Sequence, residues 1–170
     1  TRWLMEGKSE CPNEVTYGDR KFLVFGHLVR TGGRGGGFLA TTYWVDVTEF
    51  CQIRDRYQAT RPVAAVLLID NYEDLMKNLT DNERSTPLAD IASRLGARVA
   101  GAGGLLRRYQ RERYLFLFEE QHLARFVEKK FDILDTVHQV VNPSGMAASL
   151  SIGVGKDGDS FHELMDFANL

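Results

Sequence analysis

A chain of 170 residues suffices for one good-sized domain, or one domain and part of a second, and can bury roughly 70% of its unfolded surface. Its 21 Lys+Arg against 23 Asp+Glu leave a net charge of −2, so whole-chain charge gives no reason to expect a nucleic-acid or anionic-membrane binder. The longest apolar run, Val63 to Ile69, is too short to cross a bilayer, Thr1 to Lys8 lacks the apolar core of a secretory signal, and Cys11 and Cys51 form no CxxC pair, which points to a reducing setting without zinc or disulfides.

Taken in chain order, Lys21–Val29 and Phe38–Val47 are β-branched and aromatic runs that predict two antiparallel strands. Between them Thr31–Gly37 holds five glycines in seven residues. No Gly-Lys-Ser/Thr follows it, so a plain hairpin loop is expected rather than a phosphate cradle. A short charged helix is expected over Cys51–Tyr57, with Thr48 as its cap and Asp46 beside it, and Pro62 marks the boundary before a new strand, Val63–Ile69. There follow a short helix near Tyr72–Asn78, a helix after Pro87 with Leu88, Ile91, Ala92, Leu95 and Val99 on one face, and a hairpin from Leu105 to Phe118. A long helix carrying Leu123, Val127, Phe131, Leu134 and His138 leads to a strand over Ala147–Val154 and a helix from Ser160. This order predicts an α+β fold, a ferredoxin-like two-layer sandwich with helices on one face of a mostly antiparallel sheet, preceded by a short antiparallel β segment.

Few residues carry readable chemistry. Gly153–Gly158 fits GxGxxG, but on the last strand rather than the first of a βαβ unit, so a strand-end turn is expected. His27, His122, His138 and His162 lack metal-ligand spacing, and no GxSxG surrounds a serine. What remains is Asp70 at the end of the first core strand and the polar hairpin tip Tyr109–Tyr114. In a ferredoxin-like sheet those places can adjoin, so Asp70 and Glu112 could share a magnesium ion while Arg111 and Arg113 face a polyphosphate. A solvated tip, and an aspartate that caps the next helix, are the plain alternatives.

Ile69-Asp-Asn-Tyr72, the Tyr109–Tyr114 hairpin and Ser149-Leu-Ser-Ile-Gly-Val154 together resemble the GGDEF domain of diguanylate cyclases over residues 61 to 170. The resemblance puts Gln110-Arg-Glu-Arg-Tyr114 where a cyclase has Gly-Gly-Asp-Glu-Phe. It puts Leu68 at a metal-binding aspartate, Met76 at the guanine-reading asparagine and Ser85 at a second base-contacting aspartate; Gly101 and Gly104 fall on the product-inhibition motif RxxD. It therefore implies no cyclase activity, since two-metal phosphoryl transfer needs oxygen ligands that Leu68 cannot supply. Ile-Asp-Asn-Tyr with Arg-Arg-Tyr-x-x-x-Arg-Tyr is similar to the YybT/GdpP family of membrane-bound cyclic di-AMP phosphodiesterases, and Trp44–Glu49 resembles the end of a PAS domain.

That resemblance implies residues 1–48 as the last strands of a PAS-like domain, 49–60 as a helical linker and 61–170 as a degenerate GGDEF domain that stops before its terminal helix and strand. It implies a regulatory fragment on the cytoplasmic side of a membrane-anchored parent, partnered by a DHH/DHHA1 phosphodiesterase module and by a second copy of itself. No Asp-His-His is present, so hydrolysis of cyclic di-AMP is not expected of this chain; a weak ATPase using magnesium is the alternative from the enzyme class. The expected ligand is a nucleotide, ATP or a cyclic dinucleotide, bound by Asp70, Asn71, Arg111, Glu112 and Arg113, with Asp70 and Glu112 holding the metal. Haem, a PAS ligand in the family, is not expected with so little PAS sequence, and a purely structural spacer is the competing reading.

Overall fold

The computed structural model describes residues 2–32 and 37–169. It divides into two compact units, Thr1–Tyr57 and Gln58–Leu170. The first begins with a short helix, α1 (Arg2–Met5), and builds an antiparallel sheet in the order β1 (Val15–Tyr17), β2 (Arg20–Arg30) and β3 (Phe38–Asp46). Cross-strand aromatic pairs set the register of β2 against β3: Phe25 stacks on its partner Tyr43 at 5.1 Å, and Phe22 meets Trp44 edge-on at 5.5 Å. β3 is an edge strand exposed along its whole length. The expected glycine loop falls largely on residues 33–36, outside the described residues; its flank is pinned where the Thr31 amide donates to Gly37 O at 2.8 Å.

The linker helix is longer than its charge pattern suggested. α2 runs Thr48–Thr60, and the capping expectation needs correction. Asp46, not Thr48, caps the helix: its Oδ1 accepts from the Thr48 amide at 3.0 Å and from the Thr48 hydroxyl at 2.6 Å, while Thr48 Oγ1 accepts from the Lys21 amide. Those bonds hold the Asp46 carboxyl below its ordinary range.

The second unit is a four-stranded antiparallel sheet in the order β5 (Leu105–Arg108), β6 (Arg113–Glu119), β4 (Pro62–Ile69) and β7 (Leu150–Gly155). Strand β4 is apolar at every position from Val63 to Ile69, so both its faces need cover. Val63, Ala65, Leu67 and Ile69 join Leu75 and Met76 of α3 (Tyr72–Met76), Ile91, Leu95 and Val99 of α4 (Asp81–Val99) and Val137 of α6 (Ile133–His138) in the main core. Ala64 and Val66 pack instead on Leu164 and Ala168 of α7 (Phe161–Ala168). The fold is thus α+β as expected, but helices lie on both faces of the sheet rather than one. Gly155 permits this close approach, since a Cβ there would fall 1.9 Å from the Leu164 carbonyl oxygen.

Two helices differ from the periodicity. α4 starts at Asp81, six residues before Pro87, because Thr80 and Glu83 close a reciprocal capping box. The long helix after the hairpin is two short ones, α5 (Leu123–Glu128) and α6. They are separated by a turn in which Lys130 and Phe131 take φ of +51° and +52°, closed by a Phe131 amide to Phe126 O bond of 2.9 Å.

Candidate functional site

Strand pairing brings the two sequence-predicted segments together. The Ile69 amide donates to Glu112 O at 2.8 Å, and Asp70, one residue beyond β4, donates its amide to Ser149 O at 2.9 Å. Asp70, Asn71 and Glu112 consequently line one shallow depression of about 320 Å³ with Tyr72, Glu73 and Asp74. Four carboxylates, with no lining cation among the described residues, make it acidic.

Much of the local polarity is already spent. Asp70 Oδ2 accepts from the Ser149 hydroxyl at 3.0 Å. The Asn71 amide bridges β4 to the approach of β7, donating to Ala147 O and accepting from the Ser149 amide, each at 2.9 Å. Arg113 turns to the end of α7, where Nη1 donates to Asn169 Oδ1 at 2.8 Å. Arg111 is exposed, and its carbonyl accepts from Arg108. Of the five residues expected to bind ligand, three share the depression, while both arginines lie outside its lining.

Sequence reasoning missed Arg108, the last residue of β5. Its guanidinium donates to the carbonyls of Gln110 and Arg111 and lies 5.9 and 6.0 Å from the ring centroids of Tyr72 and Tyr114. Burial raises the Tyr114 phenol above its ordinary range, with the nearby Arg108 charge opposing the shift. The guanidinium thus ties the tip to the first residue of α3. The signal available in the sequence was the Arg107-Arg108-Tyr109 run immediately before the tip.

The positions aligned with cyclase ligands are filled by other chemistry. Leu68 pairs in the sheet with Arg113 and Ser151. Met76 is buried at 5% exposure in the main core, and the Ser85 hydroxyl donates to Asn82 O within α4. Among the described residues no three His, Cys, Asp or Glu side chains stand together as a metal site. Asp70 and Glu112 nevertheless suit magnesium, which is commonly held by one or two carboxylates and completed by substrate phosphates and water.

This sheet order and helix cover define a GGDEF-type domain. The GGDEF domain of DgcB from Caulobacter crescentus, solved with c-di-GMP, superposes with a TM-score of 0.55 at 22% identity over 71% of this chain and 76% of that one. A sensory box/GGDEF family protein from the same organism gives 0.54 at 18% identity over 69% and 81%. At the level of family, the model for the GGDEF domain of cyclic-di-AMP phosphodiesterase GdpP-like proteins matches residues 67–170, and the chain belongs to that family. Cyclic-di-AMP phosphodiesterase GdpP of Bacillus subtilis (strain 168) is 36% identical over 162 residues, 95% of this chain and 23% of the relative. Cyclic-di-AMP phosphodiesterase PdeA of Listeria monocytogenes is 30% identical over 126 residues, 74% and 19%. The chain therefore spans less than a quarter of the length of these relatives. Among its described residues no helix is long and apolar enough to cross a membrane.

Proposed function

We propose that this chain is a regulatory region of a cyclic di-AMP phosphodiesterase whose GGDEF-type domain binds a nucleotide weakly and makes no cyclic di-GMP. The observation that carries this reading is the replacement at the hairpin. Gln110 and Arg111 stand where a cyclase has glycines, and the carbonyls of both accept from the chain's own Arg108. Phosphates accept from backbone N–H groups, and the side chains of Gln110 and Arg111 take up the space that glycines leave open for that approach. An acidic depression repels a bare polyphosphate, so a nucleotide would need magnesium: Asp70 and Glu112 would hold the ion, which would offset the phosphate charge, and the exposed Arg111 would add a further positive charge. Arg113 and the Asn71 amide keep their present partners and hold the walls. Contacts this few favour an abundant nucleotide such as ATP, with slow hydrolysis as the enzymatic alternative. In the same reading the first unit is the end of a PAS-like domain, the parent chain carries the DHH/DHHA1 module and sits in the membrane, and two copies associate.

Calorimetry of ATP, GTP, cyclic di-GMP and cyclic di-AMP, with and without magnesium, tests this. ATP binding that requires magnesium and weakens in Glu112→Gln is expected; magnesium-independent binding would sink it. Incubation with GTP and Mg²⁺ or Mn²⁺ is expected to give no cyclic di-GMP above a control without protein.

A further inference from the structure

Helix α2 has two sides of opposite character. Its inner side is fixed: Cys51 is fully buried, the Arg54 guanidinium donates to Glu14 at 2.7 Å, and Lys21 Nζ meets Asp55 at 3.3 Å. Its outer side carries Phe50, Ile53 and Tyr57, which are 66%, 60% and 68% exposed. At about 100° per residue these three side chains fall within an arc of about 60°, so they form one apolar stripe along the helix. The inner contacts set the rotation of α2 about its axis, and the stripe therefore stays in water instead of rolling onto its own sheet.

The spacing says what fits there. Steps of three and then four residues are the a, d, a positions of a heptad, the pattern with which a helix packs on a second helix of the same kind. A second copy of α2 brings that pattern with it. Charge fixes the direction of the pair. With Phe50 and Tyr57 at a and Ile53 at d, Glu49 and Arg56 take g positions and Arg54 an e position. Side by side and parallel, Glu49 of each copy faces Arg54 of the other, since g pairs with the e position five residues on. Glu49 is exposed and has no ion-pair partner among the described residues, and Arg54 keeps 38% of its side chain exposed while Glu14 and Asp55 hold it in place. The antiparallel alternative that sets Ile53 against Tyr57 puts Arg54 against Arg54 and Arg56 against Arg56, which repels.

We infer that the Phe50–Ile53–Tyr57 stripe of α2 is the surface through which two copies of this chain associate, as a parallel helix pair. The inference deepens the proposal that two copies associate and rests on that part of it alone. Each exposed side chain offers on the order of 100 Å², so the pair buries less than the roughly 1,200–2,000 Å² of stable interfaces and dissociates readily. Sedimentation velocity over a concentration series tests it, with this chain carrying Tyr43→Lys so that open-ended strand addition at the exposed β3 does not contribute. A reversible monomer–dimer equilibrium is expected. Its dissociation constant should rise at least tenfold in Ile53→Lys and in Phe50→Lys, rise in Glu49→Lys, and stay constant in Gln52→Lys, whose exposed side chain lies off the stripe. Under oxidation Ile53→Cys should give a disulfide-linked dimer, and Gln52→Cys, with the same native cysteines, should not. All these positions are exposed, so unchanged circular dichroism is expected of each variant. A dimer that survives both stripe substitutions would overturn the assignment to α2 and leave the association of copies standing; a monomer at every concentration would overturn both. A dimer indifferent to Glu49→Lys, or equal cross-linking from positions 52 and 53, would overturn the parallel pairing.

Discussion

The two ends of β5 carry opposite solutions to the same electrostatic problem. Beyond Arg108 the hairpin tip is internally satisfied: Arg108, Asn71 and Ser149 all donate to neighbours, and the carboxylates open to water around them. Before Leu105 a cavity of about 190 Å³ at the end of α4, lined by Arg98, His122, Arg125 and Lys129, keeps Arg125 and Lys129 without counter-ions among the described residues. A region that supplies its own cation holds its shape without a ligand, whereas one that leaves cations unpaired gains from any anion that enters. Family position points to both ends, the hairpin and the turn of Gly101 and Gly104, and the charges at the two ends differ in sign.

The strongest way to break this comparison is to disturb the strand that joins the two regions. A Cβ at Gly104 would fall 2.2 Å from the Leu117 carbonyl oxygen and 2.7 Å from Phe116 Cε2. Gly104→Ala should therefore cost about 1–3 kcal/mol in urea unfolding, as overpacking does, and perturb amide shifts at the tip and the cavity together. Unchanged stability would mean that β5 tolerates displacement and that the two ends are not rigidly linked.

A smaller effect separates the ends. Arg108→Gln removes the guanidinium from two carbonyls and two tyrosine rings, with an expected cost of about 1 kcal/mol. Hydrogen exchange should quicken at the amides of residues 109–113 and stay constant at Gly101 and Arg125. Acceleration at both places would contradict the idea that the tip is held locally.

The smallest effect is a pH dependence at the far end of the helix that carries Arg98. The Thr80 amide and then the Thr80 hydroxyl hold the Glu83 carboxyl below its ordinary value. A depressed carboxylate stabilises the fold above its unfolded pKa, and that contribution disappears as pH falls through the folded one, here from about pH 4.3 downward. Glu83→Gln should flatten the low-pH part of a thermal-stability profile; an unchanged profile would show that the cap carries no linkage.

Much of this was legible in sequence, for identifiable reasons. Unbroken apolar character marks β4, and the Ile91, Leu95 and Val99 stripe of α4 is buried as its spacing requires. The adjacency of Asp70 and Glu112 follows from topology once the sheet order is accepted. Two signals were present and unread: Thr80-x-x-Glu83 starts α4 ahead of Pro87, and Ala64 with Val66 makes the second face of β4 apolar, so that α7 has to cover it. Other features leave no local trace. Lys130 and Phe131 are neither glycine nor asparagine, so nothing in the residue types announces the left-handed turn that breaks the predicted helix. Arg98 and Arg125 meet across one cavity only because α4, the 3-10 turn Ala100–Ala102 and α5 fold together.

Strand β3 has a practical consequence. Among the described residues it pairs with β2 on one side alone, and it displays Phe38, Leu39, Tyr43, Trp44 and Val45, each at least 44% exposed. An open, apolar strand edge is a template for a second strand of any origin. Solutions of this chain should consequently lose monomer as concentration rises, and the binding measurements above belong at the dilute end of the accessible range. A lysine introduced at Tyr43 should delay that loss, because a charge on an edge strand must be desolvated before another strand can add to it.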